Sequence, residues 1–355
     1  MAYTTINKST DYFNTKLYTG NGSTNAITGV GFQPDWVWIK DRDTSQHNRL
    51  ADAVRGVKKN LKSDATDAEN TTDSNDGMAS FDSDGFTLTA DNDDHGYNAN
   101  GSSQVSWNWK ANGAGSANTD GSQNTTVSVN TTAGFSIVKW TGADSTASLG
   151  HGLGAVPKMI IVKRLASRAW TVYHANVGAN KKLVLNTTAG EASSSDFDDT
   201  PTSSVINVGY TDDVNGSGAD YIAYCFAEKK GYSKIGSYTG NSNADGTFVY
   251  TGFKPAFLLL KKYTASGQQW YIYDSKRDGK NQGDGASGGN RSLRPNTTSA
   301  EEQASGYPMD ILSNGFKWRG SSTEQNSSGQ SYIYMAFAEE PLVANVGASI
   351  PATAR

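Results

Sequence analysis

Short apolar runs separated by polar turns recur along the whole chain. The clearest three each follow a proline and end in a lysine six positions later: Pro34 to Lys40, Pro157 to Lys163 and Pro255 to Lys261. These runs are apolar on both faces, which is typical of a strand that is covered on both sides. A proline suits the start of such a strand, because its missing N–H is least costly there. The pattern predicts three central strands.

Each of these runs lies in its own section of the chain, and two further motifs recur at matching places in the three sections. Each section opens with an aromatic-Thr-Gly turn, which begins at Tyr18, Trp140 and Tyr238. Each section closes with an apolar run centred on an aromatic residue, and an Asn/Gly/Ser turn begins eleven positions before that residue. The closing aromatics are Trp109, Phe226 and Phe337, and the asparagines are Asn98, Asn215 and Asn326.

Motifs that repeat in the same order indicate one structural unit used several times. We therefore predict an all-β chain of three tandem two-layer β-sandwich repeats, jelly-roll or lectin-like, of roughly 100 residues each. The predicted boundaries are 1–113 for a diverged first repeat, 114–133 for a linker, 134–230 for the second repeat, 231–342 for the third and 343–355 for a C-terminal tail.

Composition narrows the function classes. Charged residues make up 19% of the chain and the net charge is −4, so neither a large basic face nor a nucleic-acid partner is expected. The apolar runs are far shorter than a membrane span, and the N-terminus lacks the pattern of a signal peptide, so no membrane partner is expected. The single cysteine, Cys225, lies in an apolar run and is predicted to be buried.

Taken together and in order, these motifs resemble a repeat domain family of unknown function. The family is found in virion proteins of tailed bacteriophages, notably marine and cyanobacterial phages, and its members are often described as tail or fibre proteins. The matching features include the segments 270–274 and 221–228, and the start at residues 6–15 resembles the usual opening of such proteins. The resemblance extends from Asp11 to about Pro341. The first section departs from it, because residues 50–52 stand where the others have an aromatic strand.

The resemblance implies a non-enzymatic virion structural protein of the tail, a fibre or the adsorption apparatus. Such a protein would be assembled in the host cytoplasm, would be oligomeric in the particle and would bind other virion proteins. The resemblance implies no catalytic residues. A capsid-surface decoration or head-fibre protein is one alternative. A lectin-like module that binds a host surface glycan or receptor is another.

Metal and cofactor chemistry has little support in the sequence. None of the four histidines, His47, His95, His151 and His174, is paired at metal-ligand spacing, and no cofactor is expected. Acidic turns at 82–84, 91–94 and 196–199 could bind calcium in principle, with Asp91, Asp93 and Asp94 as the candidate ligands. They lack the ligand ladder of a calcium loop, so ordinary solvated turns are favoured. The glycine-rich stretch 150–154 lacks the Lys and helix of a phosphate loop and is predicted to be a turn.

Acids recur at equivalent positions, as Glu228 with Glu339 and as Asp52 with Asp274. Carboxylate pairs cleave glycosidic bonds in many enzymes, but repetition at equivalent positions favours a structural role. The aromatic residues Trp170, Tyr173, Trp270 and Tyr273 are predicted to pack in the core.

Two features are candidates for the surface. Lys40, Lys163 and Lys261 are predicted either to extend from the strand end toward solvent or to pair with a recurrent carboxylate. Trp318 lies between Lys317 and Arg319 and is the preferred candidate for a ligand contact.

Overall fold

The protein is all-β. A computed structural model describes residues 4–70, 77–91, 96–277, 281, 290–303 and 308–341. Within these ranges one short 3₁₀ turn, Ser9–Asp11, precedes the first strand, and all other regular elements are strands. The predicted all-β class is confirmed. The predicted tail at 343–355 lies outside the described residues, as do Asp93, Asp94 and His95.

The described residues form strands of two to eleven residues. The first nine are β1 (Phe13–Thr19), β2 (Asn25–Thr28), β3 (Trp36–Asp41), β4 (Arg49–Asp52), β5 (Leu61–Lys62), β6 (Met78–Asp82), β7 (Gly85–Leu88), β8 (Ser103–Trp109) and β9 (Ser116–Asn118). The next nine are β10 (Thr125–Asn130), β11 (Phe135–Thr141), β12 (Ala147–Gly150), β13 (Met159–Arg164), β14 (Trp170–His174), β15 (Lys181–Val184), β16 (Ala192–Ser193), β17 (Val205–Val208) and β18 (Asp220–Phe226). The last nine are β19 (Ser233–Thr239), β20 (Phe248–Tyr250), β21 (Phe253–Lys262), β22 (Trp270–Asp274), β23 (Arg291–Ser292), β24 (Glu302–Gln303), β25 (Met309–Leu312), β26 (Gly315–Trp318) and β27 (Ser331–Pro341).

Three large antiparallel sheets share one order of strand pairing. Sheet 1 has the order β1-β8-β3-β4-β5, sheet 2 has β16-β15-β14-β13-β18-β11-β10-β9, and sheet 3 has β19-β27-β21-β22. In each sheet the opening strand pairs with the closing strand. The closing strand then pairs with the strand that follows the proline, and that strand pairs with the next one along the chain.

The register is also the same in the three sheets. Trp109 lies opposite both Phe13 and Trp36, and Phe226 and Phe337 occupy the same crossing point in sheets 2 and 3. Pro34 and Pro157 each precede their strand by two residues, whereas Pro255 lies inside β21 at a register shift. A proline is tolerated at a bulge because no ladder hydrogen bond is lost there.

A smaller sheet covers one face of each large sheet. The small sheets have the orders β2-β7-β6, β12-β17 and β20-β26-β25. An apolar core fills each interface, built around Phe86 in the first, Ile206 in the second and Phe316 in the third. Cys225 is buried in the second of these cores, as predicted.

The other faces of the three large sheets meet in one shared core. This central core contains Trp36, Trp109, Phe226, Phe257 and Phe337, all at most 1% exposed. Because residues far apart in sequence bury one another here, the three sheets are packed together and are not strung along the chain as separate beads.

Residues 114–133 are not the predicted linker. They contribute β9 and β10, and β10 pairs with β11 at the edge of sheet 2. The start of the segment is fixed by Asp35, whose carboxylate accepts hydrogen bonds from the N–H groups of Ala111 (2.6 Å) and Gly113 (3.0 Å). Val127 and Val129 alternate with the polar residues Thr126, Ser128 and Asn130, which suits a strand with one apolar face. The small polar composition of the whole segment concealed that pattern.

The recurring aromatic-Thr-Gly and asparagine turns pack against each other. The Tyr18 hydroxyl donates to the carbonyl of Tyr97 (2.6 Å), and Asn98 Oδ1 accepts from the Asn21 N–H (3.1 Å). A Cβ atom on Gly20 would lie 2.1 Å from the carbonyl oxygen of Ala99, so only glycine fits. The glycine contact and the aromatic donor recur at Gly142 and Gly240, with Trp140 Nε1 donating to the Val214 carbonyl and the Tyr238 hydroxyl to the Gln325 carbonyl. These contacts explain why the two motifs appear together.

Candidate functional site

The closing aromatics meet at the centre of the molecule. The ring centroids of Trp109, Phe226 and Phe337 are 5.8 to 6.4 Å apart in all three pairs. These equivalent residues, one from each large sheet, form a triangle inside the central core. Their buried position indicates a packing role.

We call the contact region between two large sheets a joint. The joint between sheets 1 and 2 contains a buried ion pair. Asp52 Oδ2 accepts a hydrogen bond from Arg55 Nε within sheet 1 and another from the Tyr224 hydroxyl of sheet 2 (2.8 Å). Arg55 also donates to Glu69 Oε1 (3.0 Å) and to the carbonyl of Leu50 (3.1 Å). The charges of Asp52 and Arg55 are therefore paired and hydrogen-bonded out of water.

The joint between sheets 3 and 1 repeats this arrangement. Asp274 Oδ2 accepts from Arg277 Nε (2.6 Å) and from Trp107 Nε1 of sheet 1 (3.0 Å). Arg277 donates in turn to Glu301 Oε2 (3.1 Å). Glu301 also accepts two hydrogen bonds from Arg42 of sheet 1, at 2.8 and 2.9 Å. Burial alone would raise the pKa of Glu301, but the surrounding arginines outweigh it and lower the pKa to about 2.

The joint between sheets 2 and 3 lacks the ion pair. His174 stands where the other sheets have aspartate, and Val177 stands where they have arginine. Burial lowers the pKa of His174 to about 4, so the imidazole is neutral at pH 7. The joint is held instead by Trp270 Nε1, which donates to the carbonyl of Val184 (3.1 Å), and by the Glu191 N–H, which donates to the carbonyl of Tyr263 (2.8 Å).

These contacts follow one direction around the molecule. Trp170 of sheet 2 donates to the Lys62 carbonyl of sheet 1 (2.8 Å), and Trp270 of sheet 3 donates to sheet 2. Asn48, at the equivalent place in sheet 1, donates to the Thr297 carbonyl of the third section (3.0 Å). The three joints therefore close a circle.

Each of the three joints also contains one glutamate that the sequence motifs do not reveal. The N–H groups of Glu69, Glu191 and Glu301 each donate to a backbone carbonyl of the next section, at 2.7 to 2.8 Å. Their spacing from Asp52, His174 and Asp274 offers a sequence signal: it is 17 residues in the first two sections and 27 in the third. Arg55 and Arg277 are also absent from the predicted set, although both stand three residues after a recurrent aspartate.

The three strand-end lysines are buried and do not reach solvent, so the expected extension toward water is wrong. Lys40 Nζ donates to the carbonyls of Gln46 (2.8 Å) and Thr298 (3.1 Å). Lys163 and Lys261 likewise donate to backbone carbonyls nearby. Burial lowers the pKa of each ammonium group to about 8. The strand continues into a turn over each lysine, and the carbonyls of that turn replace water.

The lowered pKa values predict a dependence of stability on pH. Between about pH 8 and pH 10.5 the unfolded chain binds more protons at these lysines than the folded chain does, so their contribution to stability rises with pH. We expect the free energy of unfolding of the wild type, relative to a Lys163→Met variant, to increase by about 1 kcal/mol per pH unit between pH 8 and 9.5. Denaturant titrations at both pH values measure this, and Lys181→Met is the partly exposed control. A constant difference between wild type and Lys163→Met would contradict the prediction.

Trp318 is not a surface contact. It is 1% exposed and packs against Tyr273 and Phe316 in the third small-sheet core. Side chains alternate along β26, so Phe316 and Trp318 point inward while Lys317 points outward. The basic residues beside Trp318 lie on the opposite face of the strand.

The acidic turns that the structure describes are engaged in local hydrogen bonds. Asp84 accepts from the N–H groups of Gly29 (3.0 Å) and Gly31 (2.7 Å), and Asp91 accepts from the Gly96 N–H (3.1 Å). Among the described residues, no group of three His, Cys, Asp or Glu side chains is placed to hold a metal ion. Nor do these residues include a helix long and apolar enough to cross a membrane.

One open groove lies beside sheet 3. It has a volume of about 520 Å³ and is lined by Glu228, Lys230, Gly231, Ser233, Lys234 and the loop 250–252. The groove lies at the start of β19, which is the edge strand of sheet 3. Exposed Tyr250 stands at its rim, and Phe248 is exposed on the same face of β20.

The fold and the joints define an all-β protein in which three large antiparallel sheets with the same order of strand pairing pack around one core. The chain belongs to the family described as a domain of unknown function (DUF7483), whose model matches residues 8–341. No curated protein and no solved structure matches the chain.

Proposed function

We propose that the chain consists of three copies of a two-layer β unit arranged around the shared core, and that it is a non-enzymatic structural component of a tailed-phage particle. The observation that supports this most directly is the use of the repeated ionisable residues. Asp52, Asp274, Glu301 and the strand-end lysines are all engaged in buried contacts within or between the sheets. These contacts connect the sheets and leave no free carboxylate pair among these residues for catalysis.

The resemblance to virion proteins supports a role in a phage particle. We place the protein in the tail, a fibre or the adsorption apparatus, bound to other virion proteins and assembled in the host cytoplasm. A rigid block with three-way internal equivalence also suits attachment to a threefold partner, because each unit can present the same surface.

Analysis of purified particles tests this proposal. We expect mass spectrometry of a phage that encodes the chain to detect it at a fixed copy number, and immunogold labelling to place it on the tail. Labelling of the head surface would favour the decoration or head-fibre alternative. Absence of the chain from purified particles would refute the structural role.

A glycan-binding role on the particle surface is the second candidate. It is favoured by Phe248 and Tyr250, which are 43% and 55% exposed on one face of β20 and could stack on sugar rings. A glycan array read with wild type and with Tyr250→Ala tests it. Binding that Tyr250→Ala weakens would support this role, and an array without binding would remove it.

A further inference from the structure

Among the described residues, a further strand covers the edge of sheet 2 but not the equivalent edge of sheet 3. In sheet 2, β10 runs antiparallel to the opening strand β11, with Ser128 opposite Ile137. In sheet 3 the opening strand β19 pairs only with β27 among the described strands. The segment before β19 is a short turn around residues 229–232, too short to supply a covering strand.

The groove beside β19 has the same setting as the space that β10 fills. In sheet 2, Val127 and Val129 of β10 pack over Gly152, in the loop that leads to Pro157: a Cβ atom on Gly152 would lie 3.2 Å from Val129 and 3.4 Å from Val127. In sheet 3, the corresponding loop before Pro255 contributes Tyr250, Thr251 and Gly252 to the wall of the open groove.

The backbone of β19 is held in a form that another strand could pair with. The Ile235 N–H points to the open side and donates to Glu228 Oε1 (2.8 Å). Ile137, at the equivalent position of β11, lies opposite Ser128 of β10 instead. Glu228 therefore occupies one hydrogen-bonding position that a strand fills in sheet 2. Edge strands with open hydrogen-bonding groups are the usual sites of strand addition.

The edge of sheet 1 serves as an internal comparison. Its opening strand β1 is also at an edge, but Asn14 donates across to the carbonyl of Val30 (2.9 Å), and Lys16 lies beside Gly29. These side chains bridge from β1 to the loop before Pro34. At sheet 3 the equivalent positions hold Lys234, which pairs with Glu228 (3.2 Å), and Gly236, which has no side chain. Among the described residues the groove therefore stays open.

We propose that the groove beside β19 accepts an extended strand from a partner polypeptide, which adds antiparallel to β19 and carries β-branched residues at alternate positions as β10 does. This inference rests on the proposed assembly role for its biological setting. The binding itself can fail while the chain is still found in particles, so the two tests are independent.

A peptide that copies residues 123–131, labelled with a fluorophore, is the probe. We expect saturable binding to the full chain by fluorescence anisotropy and protection of residues 233–239 from hydrogen exchange. Loss of protection in residues 125–130 instead, which would mean that the peptide displaces β10 from β11, would overturn the proposal, as would the absence of binding. A peptide with aspartate in place of Val127 and Val129 is the control and should not bind.

Two variants of the chain should change the peptide affinity in opposite directions. Glu228→Ala releases the Ile235 N–H, so peptide affinity should rise by about tenfold, the range of one charge-assisted hydrogen bond. Ser237→Pro removes a donor from the open side of β19 and should lower the affinity by at least about tenfold. Circular dichroism checks that Ser237→Pro is folded, and Glu228→Ala decides the question if it is not. Unchanged affinity in Glu228→Ala would overturn the proposal.

The other possible occupants give different results. If peptide binds only after residues 342–355 are deleted, the groove belongs to the chain's own C-terminal segment. If the chain self-associates and the addition of peptide dissolves the oligomer, the groove belongs to a second copy. Either result would overturn the assignment to a different partner.

Discussion

Replacing Arg277 with alanine should lower the free energy of unfolding by about 3–5 kcal/mol, because it leaves a buried carboxylate without its charged partner. Asp274 is fully buried and, among the described residues, would keep the Trp107 indole N–H as its one side-chain donor. Glu301 would lose one of the arginines that surround it. Urea denaturation at pH 7 measures the change.

A second variant separates the cost of an unpaired charge from the value of the pair. In Asp274→Leu/Arg277→Met both charges are absent, and replacing a whole buried pair with apolar residues is often close to neutral. We therefore expect the double variant to be more stable than Arg277→Ala. Arg168→Ala is the matched control, since Arg168 is 43% exposed in its pair with Asp212 and should cost at most about 1 kcal/mol. If Arg277→Ala and Arg168→Ala lower the free energy of unfolding by the same amount, the ion pair at the joint between sheets 3 and 1 does not provide the proposed stabilisation.

The elements of the fold are accessible from sequence because their signals are local. A proline followed by an apolar run and a lysine at constant spacing identifies β3, β13 and β21. The paired Gly and Asn turns are visible for the same reason, since each motif is complete within a few residues.

The joints are not accessible from sequence, because their partners are far apart in the chain. Asp52 and Asp274 stand out as recurrent acids, but their contacts with Tyr224 and Trp107 span 172 and 167 residues. A pattern within one section cannot show which section packs against it. For the same reason, the repeats predict tandem units, whereas the sheets share one core.

Two sequence predictions are wrong because they rest on the types of residue in a segment and not on the alternation of side chains along a strand. The small polar residues of 114–133 favour a linker, although polar and apolar residues alternate over 126–130 as they do in a strand. The basic neighbours of Trp318 favour an exposed side chain, although a strand places neighbours on opposite faces. Testing both segments for the alternation of side chains expected in a strand corrects both predictions.

Replacing Trp109 with alanine should destabilise all three sections together. The side chain is fully buried and its ring contacts Phe226 of sheet 2 and Phe337 of sheet 3. Removing a buried tryptophan costs about 3–5 kcal/mol, through lost burial and the cavity that remains. Because the cavity would open where the three sheets meet, no one section bears the loss alone.

Hydrogen exchange distinguishes this shared core from three independent units. In Trp109→Ala we expect faster exchange in β8, β18 and β27 alike, together with a single unfolding transition at lower denaturant. Phe86→Ala, in the first small-sheet core, is the matched control and should speed exchange first in β2, β6 and β7. If Trp109→Ala affected only the strands of sheet 1, the sections would be energetically separate. The circle of joints would then be a geometric arrangement without cooperative stability.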